Sequence, residues 1–192
     1  MLKIAITGNI ASGKSAVQKL IEDYGYKVLD TDILAHAILE ESPEIKSEFI
    51  AFDVFDINGK ISRQKLGKLV FSDERLKQNL EKIMHPKIGE KMADFFEKNI
   101  DEKFVFVGIP LLFETGMQDM FDKIILVYTD DSIREKRLTA RNHYSLEYAK
   151  IRMNCQGSQE EKKKLSDFVI YNNGSFDDLK SSVENLLSIL SK

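Results

Sequence analysis

Residues Gly8-Asn9-Ile10-Ala11-Ser12-Gly13-Lys14-Ser15 follow directly on an apolar run at 2–7 and fill every fixed position of the pattern G-x-x-x-x-G-K-[ST]. A backbone that wraps a phosphate must turn its N–H groups inward, which takes unusual dihedrals and glycines where a side chain would collide. Gly8 and Gly13 answer that need. Lys14 brings a cation to the outer phosphates, and the Ser15 hydroxyl can complete the shell of a magnesium ion that keeps several waters. From Lys14 onward Ala16, Val17, Leu20, Ile21 and Tyr24 recur at helical spacing as far as Gly25, so the loop opens onto a helix N-terminus whose dipole is positive toward the phosphates. The chemistry indicated is the binding of a nucleoside triphosphate.

A second group of residues could act on such a ligand. Asp30 and Asp32, in Asp30-Thr31-Asp32, stand at the end of the next apolar run. In an open parallel sheet the ligand crevice lies at the carboxyl ends of the strands, where a carboxylate can accept a proton from an attacking hydroxyl or hold magnesium through water. The competing use of either aspartate is to cap the helix that begins near Ile33. Arg134, Arg137 and Arg141 recur at i, i+3 and i+7 and so share one helical face, with Arg152 in the next segment. Guanidinium groups suit the charge spread over phosphoryl oxygens, while the interleaved Glu135 and Lys136 would also fit an ordinary solvated face.

A nucleotide hydrolase usually offers an aspartate at the end of an apolar strand as a second magnesium anchor. The third apolar run ends in Gly108-Ile109-Pro110 without one, and Asp130 and Asp131 after the fourth are placed to cap the arginine-bearing helix. That pattern leans toward a small-molecule kinase. His85, before Pro86 at the end of an apolar stripe at 76–84, has a structural reading beside a functional one. Glu114, after Pro110-Leu111-Leu112-Phe113, suits a water, a magnesium ion or an arginine, or bare surface charge. His36 and His143 have no metal-ligand spacing with partners, so no zinc site is indicated.

The elements that must position these groups are five short apolar runs, at 2–7, 27–30, 104–109, 123–128 and 168–172, alternating with helical patterns. Near-continuous apolar strands are covered on both faces, which predicts a parallel sheet with helices above and below. About seventy residues between the second and third strands show helical periodicity and exceed the dozen or more that a direct crossover needs, so 31–99 reads as an inserted helical subdomain with a tight turn at Asn58-Gly59. Polar, basic residues at 139–164 form a second insertion where a mobile lid could sit. Ser175 and Asp178 form a capping box before the stripe Phe176, Leu179, Val183, Leu186, Leu187 and Leu190.

The chain has 192 residues, 43% hydrophobic and 31% charged, enough for one cooperative unit with appendages. A net charge of −3 argues against a nucleic-acid partner, and the absence of any apolar stretch of 18 or more residues argues against a membrane span. The single cysteine, Cys155, permits no internal disulfide, and the chain enters a strand and phosphate loop without a signal peptide, which predicts a cytoplasmic address. With no histidine close in sequence, Cys155 reads as a small apolar filler.

Together these stretches resemble the dephospho-CoA kinase family nearly from end to end. The phosphate loop is 8–15, and the family's D-x-D-x-x-A-[R] stretch appears as Asp30-Thr31-Asp32-Ile33-Leu34-Ala35-His36. His85-Pro86-Lys87-Ile88 matches its H-P-x-I element, and Pro110-Leu111-Leu112-Phe113-Glu114 its P-L-L-x-E segment. Asp56 to Gly59, Ile61, Arg63, Leu66, Val70 and Phe71 follow the pattern of the insert. Arg137-Leu138, Arg141, Arg152, Gln156, Asp167 and Ile170-Tyr171-Asn172-Asn173-Gly174 look like the lid and the nucleotide-side elements. The departures are His36 where the family commonly has arginine, a mostly neutral imidazole for a permanent cation, and Thr31 for its usual alanine.

The resemblance implies a P-loop three-layer α/β sandwich with a five-stranded parallel sheet, a core at 1–30, 100–138 and 165–192, an acceptor-binding insert and a lid. It implies transfer of the γ-phosphoryl of ATP, with Mg2+, to the ribose 3′-hydroxyl of dephospho-CoA, the last step of coenzyme A synthesis. Asp32, Lys14, Arg137 and Arg141 would then be catalytic. Residues 8–16, among them Ala16, with Arg141 and Asn172 would bind nucleotide, Ser15 the metal, and Asp30, Asp32, His85, Leu111 and Glu114 the acceptor. The rival readings are a kinase for another acceptor, such as a nucleoside monophosphate, and a nucleotide-dependent switch whose ordered loop a partner reads.

Overall fold

The computed structural model of the protein describes residues 1–142 and 144–191. His143, inside the basic segment, lies outside the described residues. In chain order the elements are β1 (Leu2–Thr7), α1 (Lys14–Asp23), β2 (Lys27–Asp30), α2 (Thr31–Glu41), α3 (Pro43–Glu48), α4 (Arg63–Ser72) and α5 (Glu74–Lys98). Then come β3 (Phe104–Gly108), β4 (Lys123–Tyr128), α6 (Asp131–Asn142), α7 (Leu146–Asn154), α8 (Gln159–Lys164), β5 (Phe168–Tyr171) and α9 (Phe176–Ser191). They form two compact units, one of residues 1–30 with 99–192 and the other of residues 31–98.

The larger unit is built on a five-stranded, all-parallel sheet in the order β2-β3-β1-β4-β5. Side chains alternate across a strand, and here both sets are buried. Ile4, Ile6, Phe104, Phe106, Ile125 and Val127 pack with Val17 and Ile21 of α1 and with Leu179, Val183 and Leu187 of α9. The alternate residues Ala5, Val105, Val107 and Leu126 are equally inaccessible. Helices cover both faces, as the unbroken apolar runs predict. The capping box that opens α9 is present: Ser175 Oγ accepts from the Asp178 N–H at 3.2 Å, and Asp178 Oδ2 accepts from the Ser175 N–H at 2.8 Å.

The smaller unit is helical and has its own core, in which Ile38, Ile45, Phe49, Val54, Leu66, Leu76 and Met84 are buried together. Ser42 caps α3, with Pro43 in its first turn, and Ser62 caps α4. At the Asn58-Gly59 turn the Asp56 carboxylate accepts from the N–H groups of Asn58 and Lys60 at 2.8 and 2.9 Å. One expectation changes. The apolar stripe does not stop at His85-Pro86, because α5 runs through Pro86 to Lys98. Proline removes a hydrogen bond inside a helix and crowds the preceding turn. Ile83, Met84 and Ile88, on either side of it, all pack into the helical core and hold the two halves in one element.

Candidate active site

The loop between β1 and α1 takes its shape from outside. Arg134, Nε to carbonyl, holds Ile10 at 2.9 Å, and Arg137 Nη1 holds the Ala11 carbonyl at 3.3 Å. The Ser12 carbonyl accepts from Asn172 Nδ2 at 2.7 Å, Thr129 Oγ1 at 2.8 Å and Arg137 Nη1 at 3.4 Å. Three successive carbonyls are thus tied to side chains outside the loop while the Ser12 N–H donates to the Asn9 carbonyl at 3.0 Å, so the peptide planes of the loop are fixed before any ligand arrives. Ala11 sits at φ 63°, the one non-glycine residue at positive φ among the described residues. Such strain persists only where the surroundings over-determine it, as these anchors do. Ser12 Oγ is buried with no protein partner, a hydroxyl left for a ligand at the loop.

Gly13 is the N-cap of α1 at φ 95°, and a Cβ there would lie 2.1 Å from Asn172 Nδ2. Lys14 and Ser15 begin the helix, Ser15 exposed and Lys14 buried with Nζ 3.0 Å from Gln18 Oε1 and 3.4 Å from Asp30 Oδ2. Beside the loop lies a cavity of about 610 Å³ lined by Gly13, Ala16, Arg137, Arg141, Asn172 and Phe176 among others. Its walls are mostly apolar with two guanidinium groups, which suits a flat heteroaromatic base joined to phosphates.

The arginine face predicted on α6 exists, but its members differ. Arg134 is not on a solvated face: it is 2% exposed, and Nη1 meets Asp131 Oδ1 at 2.7 Å. Burial pushes its guanidinium below the usual range, opposed by the hydrogen bond and charge of Asp131. Arg137 is half-buried, Nη2 also reaching the Asn172 carbonyl at 3.0 Å, so it braces the loop while facing the cavity. Arg141 is exposed on the cavity wall. Asp131 takes Arg134 and Gln159 Nε2 (2.9 Å), where the sequence suggested a helix cap alone.

Glu114 departs from the partners expected of it. It pairs with the buried Lys162 of α8 at 2.7 Å and accepts from the Gly157 N–H at 3.1 Å. Burial would raise its carboxyl, but Lys162 and the N–H groups prevail and hold it below the ordinary carboxylate value. Gly157 and its neighbour also touch the loop: Gln156 Oε1 accepts from the Ile10 N–H at 2.6 Å, and the Gly157 carbonyl from Asn9 Nδ2 at 2.9 Å. The basic segment therefore packs on the phosphate loop, and α6 enters it without a break at 139. Leu111 is exposed after β3. Cys155 is no core filler but an exposed C-cap of α7. Asp32 and His85 are exposed on helices of the smaller unit, Asp32 in the first turn of α2 and His85 on α5. In that unit Arg63 Nη1 lies 2.8 Å from Nδ1 of His36, so a guanidinium adjoins the imidazole that stands in the arginine position.

Sequence reasoning missed Gln18 and Thr129. Gln18 stands between Val17 and Ile21 on the buried side of α1, and a polar residue inside an apolar stripe was the available signal. Thr129 directly follows a buried strand at its carboxyl end.

The family model described as dephospho-CoA kinase matches residues 2–178. The chain belongs to the dephospho-CoA kinase family. A dephospho-CoA kinase of Listeria monocytogenes is 37% identical over 185 residues, covering 94% of this chain and 92% of the relative. The solved structure of dephospho-CoA kinase from Campylobacter jejuni superposes with a TM-score of 0.76 at 34% identity, over 98% of this chain and 96% of that one. Shikimate kinase from Bacteroides thetaiotaomicron, at 13% identity and a TM-score of 0.55 over 100% of this chain and 99% of that one, shares the fold alone. The chain is thus a transferase with a P-loop kinase fold, and the reaction of its family is ATP-dependent phosphorylation of dephospho-CoA, which completes coenzyme A biosynthesis.

Proposed function

We propose that the loop 8–15 holds the triphosphate of ATP while Asp32 readies the ribose 3′-hydroxyl of dephospho-CoA. The hydroxyl oxygen attacks the γ-phosphorus, the bond from that phosphorus to the β,γ-bridging oxygen breaks, ADP departs, and the hydroxyl proton passes to the Asp32 carboxylate. Lys14 carries positive charge to the outer phosphates, and Arg141, with Arg137 behind it, compensates charge on the migrating group. The cavity at Ala16, Arg141 and Asn172 takes the adenine end. The exposed Ser15 hydroxyl, at the first turn of α1, fits a magnesium ion that draws its other ligands from phosphate and water. When bound, that ion neutralises phosphate charge.

The insert 31–99 grips the acceptor through Asp32 and His85, with Leu111 supplying apolar contact and Asp30 standing at the end of β2. Glu114 acts from behind by fixing Gly157 and Lys162. The segment 139–164 closes over ATP so that water does not compete as acceptor. Most of catalysis is then positioning and charge compensation.

The observation that carries this reading is the loop whose carbonyls at 10, 11 and 12 are tied outward, in a chain of this family. Incubating the purified protein with ATP, magnesium and dephospho-CoA should yield coenzyme A and ADP, and a panel of nucleoside monophosphates should give little product. Asp32→Asn should keep ATP affinity while lowering turnover about a hundredfold or more, the scale of a positioned base. Unchanged turnover would remove Asp32 from that role.

A further inference from the structure

Gln18 is 4% exposed, and the mechanism above gives it nothing to do. Its amide lies between the two charged groups that matter most at the loop. Oε1 accepts from Lys14 Nζ at 3.0 Å, and Nε2 donates to Asp30 Oδ2 at 2.8 Å. The orientation of the amide is dictated, since an ammonium offers only donors and a carboxylate only acceptors. The direct Lys14–Asp30 distance is 3.4 Å, longer than the 2.7–2.9 Å of a close charge-assisted contact. Gln18 occupies the near position on the aspartate oxygen, and the ammonium meets the same oxygen at the longer distance.

The opposite side of the amide is fixed by β3. Gly108, paired in register with Asp30 and with Ile6, approaches so closely that a Cβ on it would lie 2.2 Å from Gln18 Nε2. A glycine at this strand end is therefore what leaves room for the amide. In a parallel sheet the residue at the carboxyl end of the central strands borders the ligand crevice, so the close approach sits where Lys14 must be presented.

We infer that Gln18 is a positioning residue for the phosphate-loop lysine: it holds Lys14 and Asp30 in a bridged, loosened pair from which the ammonium can pass to the outer phosphates of a nucleoside triphosphate. A direct buried pair would compete with the phosphates for the same cation. This rests on the assignment of 8–15 as the ATP loop.

The test measures binding of ATP and of AMP, without acceptor, to the parent, Lys14→Ala, Gln18→Leu, Gly108→Ala and Gln18→Leu combined with Asp30→Asn. Gln18→Leu and Gly108→Ala should each weaken ATP about tenfold, the scale of a hydrogen bond to a charged group, and leave AMP within about twofold. Neutralising Asp30 in the Gln18→Leu background should restore most of the ATP affinity, because the competitor for Lys14 is then uncharged. In a separate turnover assay with dephospho-CoA, KM for ATP should rise more than kcat falls in Gln18→Leu. Equal weakening of ATP and AMP would mean damage to the fold and would overturn the inference, as would failure of Asp30→Asn to rescue. If Lys14→Ala binds ATP like the parent, the loop assignment itself fails. If Lys14→Ala weakens ATP and Gln18→Leu does not, only the role of Gln18 is lost.

Discussion

Replacing Gly13 by alanine tests whether the phosphate loop is held from outside in the way described. Gly13 lies at φ 95° and ψ 19°. Keeping a non-glycine residue left-handed costs about 1–2 kcal/mol. The new Cβ would also stand 2.1 Å from Asn172 Nδ2, so the amide must retreat and lose its 2.7 Å bond to the Ser12 carbonyl. That bond contributes about 1 kcal/mol net. Gly13→Ala should therefore lose about 2–3 kcal/mol and lower Tm by roughly 4–12 °C for a chain of this size. Asn172→Ala alone should lose about 1–2 kcal/mol. In the double variant the clash is gone and only the backbone cost is added, so the loss should fall short of the sum by about 1 kcal/mol. Thermal and urea melts of all four proteins measure this cycle, and ATP titration should show affinity reduced about tenfold or more in Gly13→Ala. Additive losses, or a Gly13→Ala protein that melts within about 1 °C of the parent, would refute the idea that Asn172 and the loop are locked together.

Other consequences are as direct. Arg134→Met strips the Ile10 carbonyl of its guanidinium donor and should cost about 2 kcal/mol by melting, toward the lower end for a buried charge because Asp131 is largely exposed and can be hydrated. Lys162→Met removes the partner of Glu114, whose carboxyl is held below its ordinary value near 4.5 in the folded parent. A depressed carboxyl stabilises above its unfolded pKa and loses that contribution as pH falls through the folded value. The Tm gap between parent and Lys162→Met should thus be widest near neutrality and shrink below pH about 4.5; a gap that does not change on acidification would show that the pair contributes no charge-dependent stability. Ser175→Ala breaks the box at the start of α9 and should lower Tm by about 2–4 °C, the effect of about 1 kcal/mol of lost capping.

Much of the fold was legible because its signals are local. Apolar runs only a few residues long, bounded by turns and separated by helical stripes, specified five strands and the helices around them, and Ser175 with Asp178 marked the start of α9 within four residues of chain. The phosphate-loop pattern at 8–15 is local for the same reason, being eight adjacent residues at fixed spacing. The stripe read as ending at Met84 continues in the structure, because Ile83, Met84 and Ile88 pack in one core on both sides of Pro86.

What the local pattern could not reveal is which side chains converge on the loop. Arg134 reaches Ile10 across 124 positions of chain, Gln156 reaches the same residue across 146, and Asn172 reaches Ser12 across 160. These contacts follow from the strand order β2-β3-β1-β4-β5, which sets the carboxyl end of β4 beside that of β1 and the carboxyl end of β5 one strand further out. The sequence by itself determined a G-x-x-x-x-G-K-[ST] loop between a strand and a helix, followed by acids and arginines. Tertiary structure decided that Arg134 is a buried brace, that Glu114 answers to Lys162, and that Gln18 hydrogen-bonds to both Lys14 and Asp30, because each depends on burial and on neighbours brought together only when the sheet forms.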